Sequence, residues 1–132
     1  MVTRRDRSDQ AQPPAQGGAG AEDCALAYLQ QQGLRLIERN YRVAHGPARH
    51  GGEIDLVLRD SDGTLVFVEV RARRSAQQGG AAASVGLAKQ RRLIYAAQHF
   101  LLRYASLPRC RFDVVAVDQG RIDWLPAAFA AA

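Results

Sequence analysis

Lysine is almost missing from this chain. Of the 18 basic residues, 17 are arginine and one is Lys89. Abundant alanine accompanies that bias, as in coding from a GC-rich genome, so arginine in place of lysine is expected drift and the retained Lys89 draws notice. Cysteine is scarce too. Cys24 and Cys110 lie far apart and in no metal-ligand spacing, which reads as two thiols in a reducing compartment and gives no support to a disulfide framework. No apolar run is long enough to span a bilayer. The N-terminal arginines have no apolar stretch behind them, so no secretory signal is read there and the cytoplasm is the expected compartment. Internal repeats are absent.

What is present suits one globular domain. The chain has 132 residues, 47% of them hydrophobic, enough for a real core but not for two. Its net charge of +5 and pI near 9.9 favour acidic partners such as nucleic acid.

The stretch GEIDLVLRDSDGTLVFVEVRAR, Gly52 to Arg73, organises the rest. Glu53 to Arg59 and Thr64 to Arg71 alternate with the period of a strand, and their β-branched and aromatic residues fit a pleated surface. Val66, Val68 and Val70 share one face; Leu65, Phe67, Glu69 and Arg71 share the other. Between the strands, Ser61, Asp62 and Gly63 form a three-residue hairpin loop with glycine at its left-handed position. That loop sets Asp60 against Thr64, Glu53 against Arg71 and Asp55 against Glu69. Like charges directly opposite destabilise a sheet, so the Asp55–Glu69 pair requires a cation, a shared proton or another partner. The inference depends on register, because a one-residue slip sends the two acids to opposite faces.

Residues 1–17 read as a disordered tail and 18–132 as the domain. Gly20 to Gln32 reads as a helix with Ala21, Ala25, Tyr28, Leu29 and Gln32 on one face and Gly33 ending it. Glu22 falls in its first turn, where an acid complements the helix dipole. A strand with a bulge near Ile37 is expected over Leu34 to Val43. His45 and His50 lie in the loop that follows; loop histidines are ordinarily solvated. Gly51-Gly52 marks a hinge or a close backbone approach. Arg73 to Gly86 reads as a basic, glycine-containing loop.

Leu87 to Ala105 reads as a helix with an apolar stripe of Leu87, Ile94, Ala97, Leu101 and Tyr104. A second line, Lys89, Arg92, Ala96, His99 and Arg103, is basic. Solvation is the ordinary role of such a line; on a basic protein it also suits phosphate contact. Arg111 to Val117 reads as a strand covered on both faces and interrupted by Asp113. A turn at Asp118 to Gly120 leads into a short strand, Arg121 to Leu125, and Pro126 is expected to start a terminal helical turn. The first three strands form an antiparallel meander, and the long helix returns the chain to a parallel fourth strand. The expected class is α/β, a mixed sheet flanked by helices.

Two carboxylates hold Mg²⁺ or Mn²⁺ while leaving room for water and phosphate, and a neighbouring cation stabilises developing phosphate charge. At these residues the chain resembles the PD-(D/E)XK, restriction-endonuclease-like superfamily. More narrowly it resembles the YraN family of bacterial proteins, through GAGAEDCALAYLQQQGLRLIERNYR, GGEIDLVLRD, LVFVEVRAR, GGAAASV and RFDVVAV, from Gly18 to Val117. That family is similar in core to archaeal Holliday-junction resolvases. The resemblance implies a three-layer nuclease-like core, a Mg²⁺- or Mn²⁺-dependent endonuclease acting on branched or structured DNA, and a homodimer. It assigns Asp55 and Glu69 as metal-binding acids and Glu22 as the acid a first helix brings to the site. Arg71 departs from the pattern, which has lysine there. Arginine keeps the charge but does not readily lose a proton. Lys89 is the candidate for the missing ammonium, and Arg73, Arg74, Lys89 and Arg92 are the candidate nucleic-acid contacts. A non-catalytic nucleic-acid-binding module that keeps the fold, and an interaction protein whose acids merely pair with arginines, are the competing readings.

Overall fold

A computed structural model describes residues 18–44, 51–72 and 85–131. The expected tail, the loop histidines His45 and His50, Arg73 and Arg74 fall outside them. The elements run α1 (Gly18–Gln31), β1 (Arg35–Val43), β2 (Gly52–Arg59), β3 (Leu65–Ala72), α2 (Leu87–Leu101), β4 (Cys110–Asp118) and β5 (Arg121–Phe129).

The expected periodicity holds in α1, where Ala21, Ala25, Tyr28 and Leu29 are buried at three- and four-residue spacing. Gly33 stops the helix with φ of 101°. Its N–H donates to the Gln30 carbonyl and the Leu34 N–H to the Leu29 carbonyl, at 3.0 and 3.1 Å. That is a Schellman ending, sealed by the buried pair Leu29 and Leu34.

The strands form one mixed sheet in the order β1-β2-β3-β4-β5. Only β3 and β4 run parallel, because α2 carries the chain back between them. The hairpin has the register its loop dictates: Arg59 faces Leu65, Val57 faces Phe67 and Leu56 faces Val68. Gly63 has φ of 92° and donates its N–H to Asp60. The bulge in β1 falls at Ile37, between Leu36 and Glu38. At the far end, Gln119 and Gly120 both have positive φ, the two-residue turn whose twist matches that of paired strands.

Among the described residues, one helix covers each face. Beneath α2, Leu65, Phe67, Phe112 and Val114 meet Leu93, Ala96, Ala97 and Phe100. Beneath α1, Leu56, Leu58, Val66, Val68, Val115 and Val117 meet Ala25, Tyr28 and Leu29. β3 and β4 alternate between the two clusters and are buried on both sides.

The stripe expected on α2 forms the flank of the buried face. Leu93, Ala96, Ala97 and Phe100 are the buried positions, Ile94, Leu101 and Tyr104 pack half-buried against the same cluster, and Leu87 is 67% exposed. Leu93 and Phe100 sit at the centre of the face that meets the sheet and are the helix's large, fully buried side chains. The helix also ends at Leu101, short of Ala105. Ala96, expected on the basic line, lies over Gly52. A β-carbon at Gly52 would stand 2.7 Å from the Arg92 carbonyl oxygen and 2.9 Å from the Ala96 β-carbon, so the glycine marks a close approach of strand and helix.

The C-terminus departs from expectation as well. No helical turn begins at Pro126; β5 runs through it to Phe129. An edge strand tolerates proline because one side of its backbone needs no partner. Ala127, with φ of 53°, sits at an irregularity in the β4–β5 ladder and donates its N–H to Asp113 Oδ1 at 2.9 Å. Asp113 is buried and also accepts from Arg111 Nε at 2.9 Å and Trp124 Nε1 at 3.0 Å. The acid that interrupts β4 therefore holds the sheet edge together.

Candidate functional site

Asp55 and Glu69 come together where β2 and β3 stop pairing. The ladder ends at Leu56 and Val68. One residue further on, the Val70 N–H donates to Asp55 Oδ2 at 2.8 Å, so a side chain takes a bond a ladder gives to backbone. The alternation of β2 breaks here too. Ile54 and Val57 pack beneath α2, Leu56 and Leu58 beneath α1. Across the sheet the break has a counterpart in Asn40, which lies between the partners of Ile54 and Leu56 and has φ of 53°. Asparagine tolerates this left-handed conformation better than most residues.

Burial pushes the Asp55 carboxyl up to about 7. The charge on Glu69 adds to the rise, the Val70 N–H opposes it, and the charge on Glu22 and a hydrogen bond to Glu69 add further smaller increments. The pair is thus the unfavourable juxtaposition the hairpin register implies.

Cations approach from two elements. Arg71 Nη1 and Lys89 Nζ each lie 3.5 Å from Glu69 Oε2. Glu69 is buried, and both cations are about one-third exposed, at 35% and 36%. Lys89 is near the start of α2, and the helix's seat on Gly52 brings it over the sheet. The expected Glu53–Arg71 pair does not form. Glu53 turns to Arg42 of β1, at 3.7 Å. The reason is that β2 and β3 have parted by this point, while β1 still runs beside β2.

Glu22 arrives from α1. The helix begins at Gly18, so Glu22 lies beyond its first turn and a dipole role loses its basis. Instead Arg39 Nη2 approaches it at 3.5 Å and Asn40 Nδ2 donates to it at 3.3 Å. Arg39 also reaches Asp23 at 2.9 Å. These β1 partners were not legible beforehand; the polar Arg39-Asn40 pair inside a strand was the available signal. Among the described residues, no three His, Cys, Asp or Glu side chains gather closely enough to enclose an ion. The donor set is two adjoining carboxylates with a third nearby.

The basic line of α2 is largely engaged inside the molecule. Besides Lys89, His99 Nδ1 hydrogen-bonds the Tyr41 hydroxyl at 2.6 Å, and Arg103 reaches Glu38 at 3.7 Å and lies 3.7 Å from the centre of the Phe100 ring. Arg92 is exposed and makes no ion pair with a described residue.

Fold and site together define a mixed α/β protein with a carboxylate pair, Glu69 buried and Asp55 half-buried, flanked by lysine and arginine at the opening of a hairpin. The chain belongs to the family described as Uncharacterised protein family UPF0102, whose profile matches residues 21–117; this is the YraN-like family of the sequence resemblance. A UPF0102 protein of Methylibium petroleiphilum is 64% identical over 112 residues, covering 85% of this chain and 92% of its own length. One from Paracidovorax citrulli is 62% identical over 85% of this chain and 81% of its own. One from Cupriavidus necator is 60% identical over the same shares. No helix among the described residues is long and apolar enough to cross a membrane.

Proposed function

We propose that this protein is a divalent-cation-dependent nuclease of the PD-(D/E)XK kind, hydrolysing phosphodiesters in branched or structured DNA. The observation that carries the reading is the Asp55–Glu69 pair. An acid raised by a neighbouring acid at an opening in the sheet is the kind of perturbed group that gathers at functional sites. Their carboxylates fit Mg²⁺ or Mn²⁺, which takes one or two protein carboxylates and completes its shell with water and phosphate oxygens. When bound, such an ion polarises a phosphodiester and acidifies an attacking water.

The chain's own groups do the rest. Lys89 holds a positive charge at Glu69 and is close enough to neutralise charge developing on a phosphate. Arg71, two residues further along β3, fixes the Glu69 carboxylate and adds a permanent cation. Glu22, held by Arg39 and Asn40, adds negative potential on the α1 side.

Calorimetry with Mn²⁺ in chelator-stripped buffer tests the pair directly. Wild type should bind and Asp55→Ala should not, and only wild type should nick a labelled four-way junction. Retained cleavage in Asp55→Ala or Glu69→Ala overturns the assignment. Lys89→Ala should lower the cleavage rate about 100-fold or more; an unchanged rate removes its role. One observation favours a second reading, a nucleic-acid-binding module without cleavage. Arg71 and Lys89 both approach the same Glu69 oxygen, which balances that acid without an ion. Salt-sensitive DNA binding with no Mn²⁺ uptake in wild type would establish that reading.

A further inference from the structure

A second basic site lies beside the carboxylates. Between the end of β1 and the start of β2 there is a cavity of about 530 Å³, lined by Arg42, Val43, Ala44, Gly51, Gly52, Glu53 and Arg92. Among the described lining residues the two arginines come from different elements, β1 and α2, and the Arg42 side chain is 67% exposed. Gly51 is half-buried and adds no side chain to the wall, while Gly52 is buried and packed against α2. Glu53, the one acid among the described lining residues, pairs with Arg42 at 3.7 Å in a half-exposed contact that is worth little and is readily exchanged.

The cavity has a fixed place relative to the acid pair. Gly52 precedes Asp55 by three residues on β2, a span of about 10 Å. On α2, Arg92 follows Lys89 by three residues, a rise of about 4.5 Å. The contact of Gly52 with the Arg92 carbonyl locks strand and helix together at the cavity. A rise of 3.4 Å per nucleotide puts the two sites about three nucleotides apart along a duplex strand.

We infer that Arg42 and Arg92 form a subsite for a backbone phosphodiester of the nucleic acid, flanking the one held at Asp55 and Glu69. The inference rests on the proposed nuclease reading for its ligand, not for its geometry. Arginine forks grip the phosphate oxygens, and Glu53 moderates the affinity so that bound strand can leave. The contact is to backbone, so it is indifferent to base sequence.

The test is fluorescence anisotropy of the full-length protein with a fluorescein-labelled synthetic duplex, in EDTA, across a KCl series. Arg42→Ala and Arg92→Ala should each weaken binding about 3- to 10-fold. Each should also lower the slope of log K against log salt by about one. Glu53→Gln should tighten binding, and Arg121→Ala on β5 should match wild type. Wild-type affinity and slope in both arginine variants overturn the subsite. So do an equal loss in Arg121→Ala, no duplex binding by wild type, or displacement by inorganic phosphate at equal phosphate concentration. If the arginine dependence holds while wild type takes up no Mn²⁺ and cuts nothing, the nuclease reading falls and the subsite stands.

Discussion

Asp55 is held in its native place at the expense of stability. Its carboxyl is pushed up to about 7 from an ordinary 3.8, so the native state binds the proton more tightly than the unfolded chain. Stability from this group is present below pH 3.8 and is lost as pH rises toward 7. Asp55→Asn keeps an oxygen for the Val70 N–H and cannot ionise. In chelator at pH 8 it should be more stable than wild type by roughly 1–3 kcal/mol in urea melts, and the gain should vanish near pH 4. Mn²⁺ should raise the melting temperature of wild type and leave Asp55→Asn unmoved. A variant that is less stable at every pH would show the carboxylate to be structural. Asp113 presents the opposite case, a buried acid with its bonds satisfied. Asp113→Ala removes the buried acceptor of Arg111 Nε, Trp124 Nε1 and the Ala127 N–H, while Arg111 keeps Asp60 at 3.1 Å, and should cost about 3–5 kcal/mol in the same melts. Two acids inside strands thus look alike in sequence and differ because one has donors around it and the other has a second acid.

At the scale of elements, the contact of β2 with α2 at Gly52 positions the site. Gly52→Ala drives a β-carbon against backbone oxygen, which cannot swing away like a side chain. It should cost about 1–3 kcal/mol and, by displacing Lys89, lower Mn²⁺-dependent cleavage more than its stability loss accounts for. A Gly52→Ala protein with wild-type melting would show that α2 slides freely. Sequence patterning found every element and the hairpin register, because period two and turn chemistry are local. The centre of the buried face of α2 was not legible. Leu87, Ile94, Ala97, Leu101 and Tyr104 make a valid helical stripe, and all but Leu87 reach the core, but the centre of the buried face falls on Leu93, Ala96 and Phe100. Pro126 likewise reads as a strand breaker, and only its place on a sheet edge makes it admissible.

Over the whole molecule, the family profile ends at Val117, yet β5 closes the sheet beyond it. A chain stopped at Asp118 loses the Trp124 and Ala127 donors to Asp113 and bares the β4 edge, an unpaired template for other chains. Such a truncation should elute as aggregate in size-exclusion chromatography; a monodisperse, cooperatively melting product would show β5 to be dispensable. The arrangement of layers also sets the candidate site. Acids from β2 and β3 lie between α1, which brings Glu22, and α2, which brings Lys89, so both faces of the sheet contribute to one opening.

The sequence by itself determined the order of elements, the Gly63 turn and, through it, the juxtaposition of Asp55 with Glu69. Those features follow from alternation and loop length, which are properties of neighbouring residues. Tertiary structure alone decided the partners of each charge. Arg71 turned from Glu53 to Glu69, Lys89 reached the same oxygen from another element, and Asn40 took a left-handed turn to hold Glu22. Such pairings depend on where strands part and how helices seat, distances that no local pattern encodes.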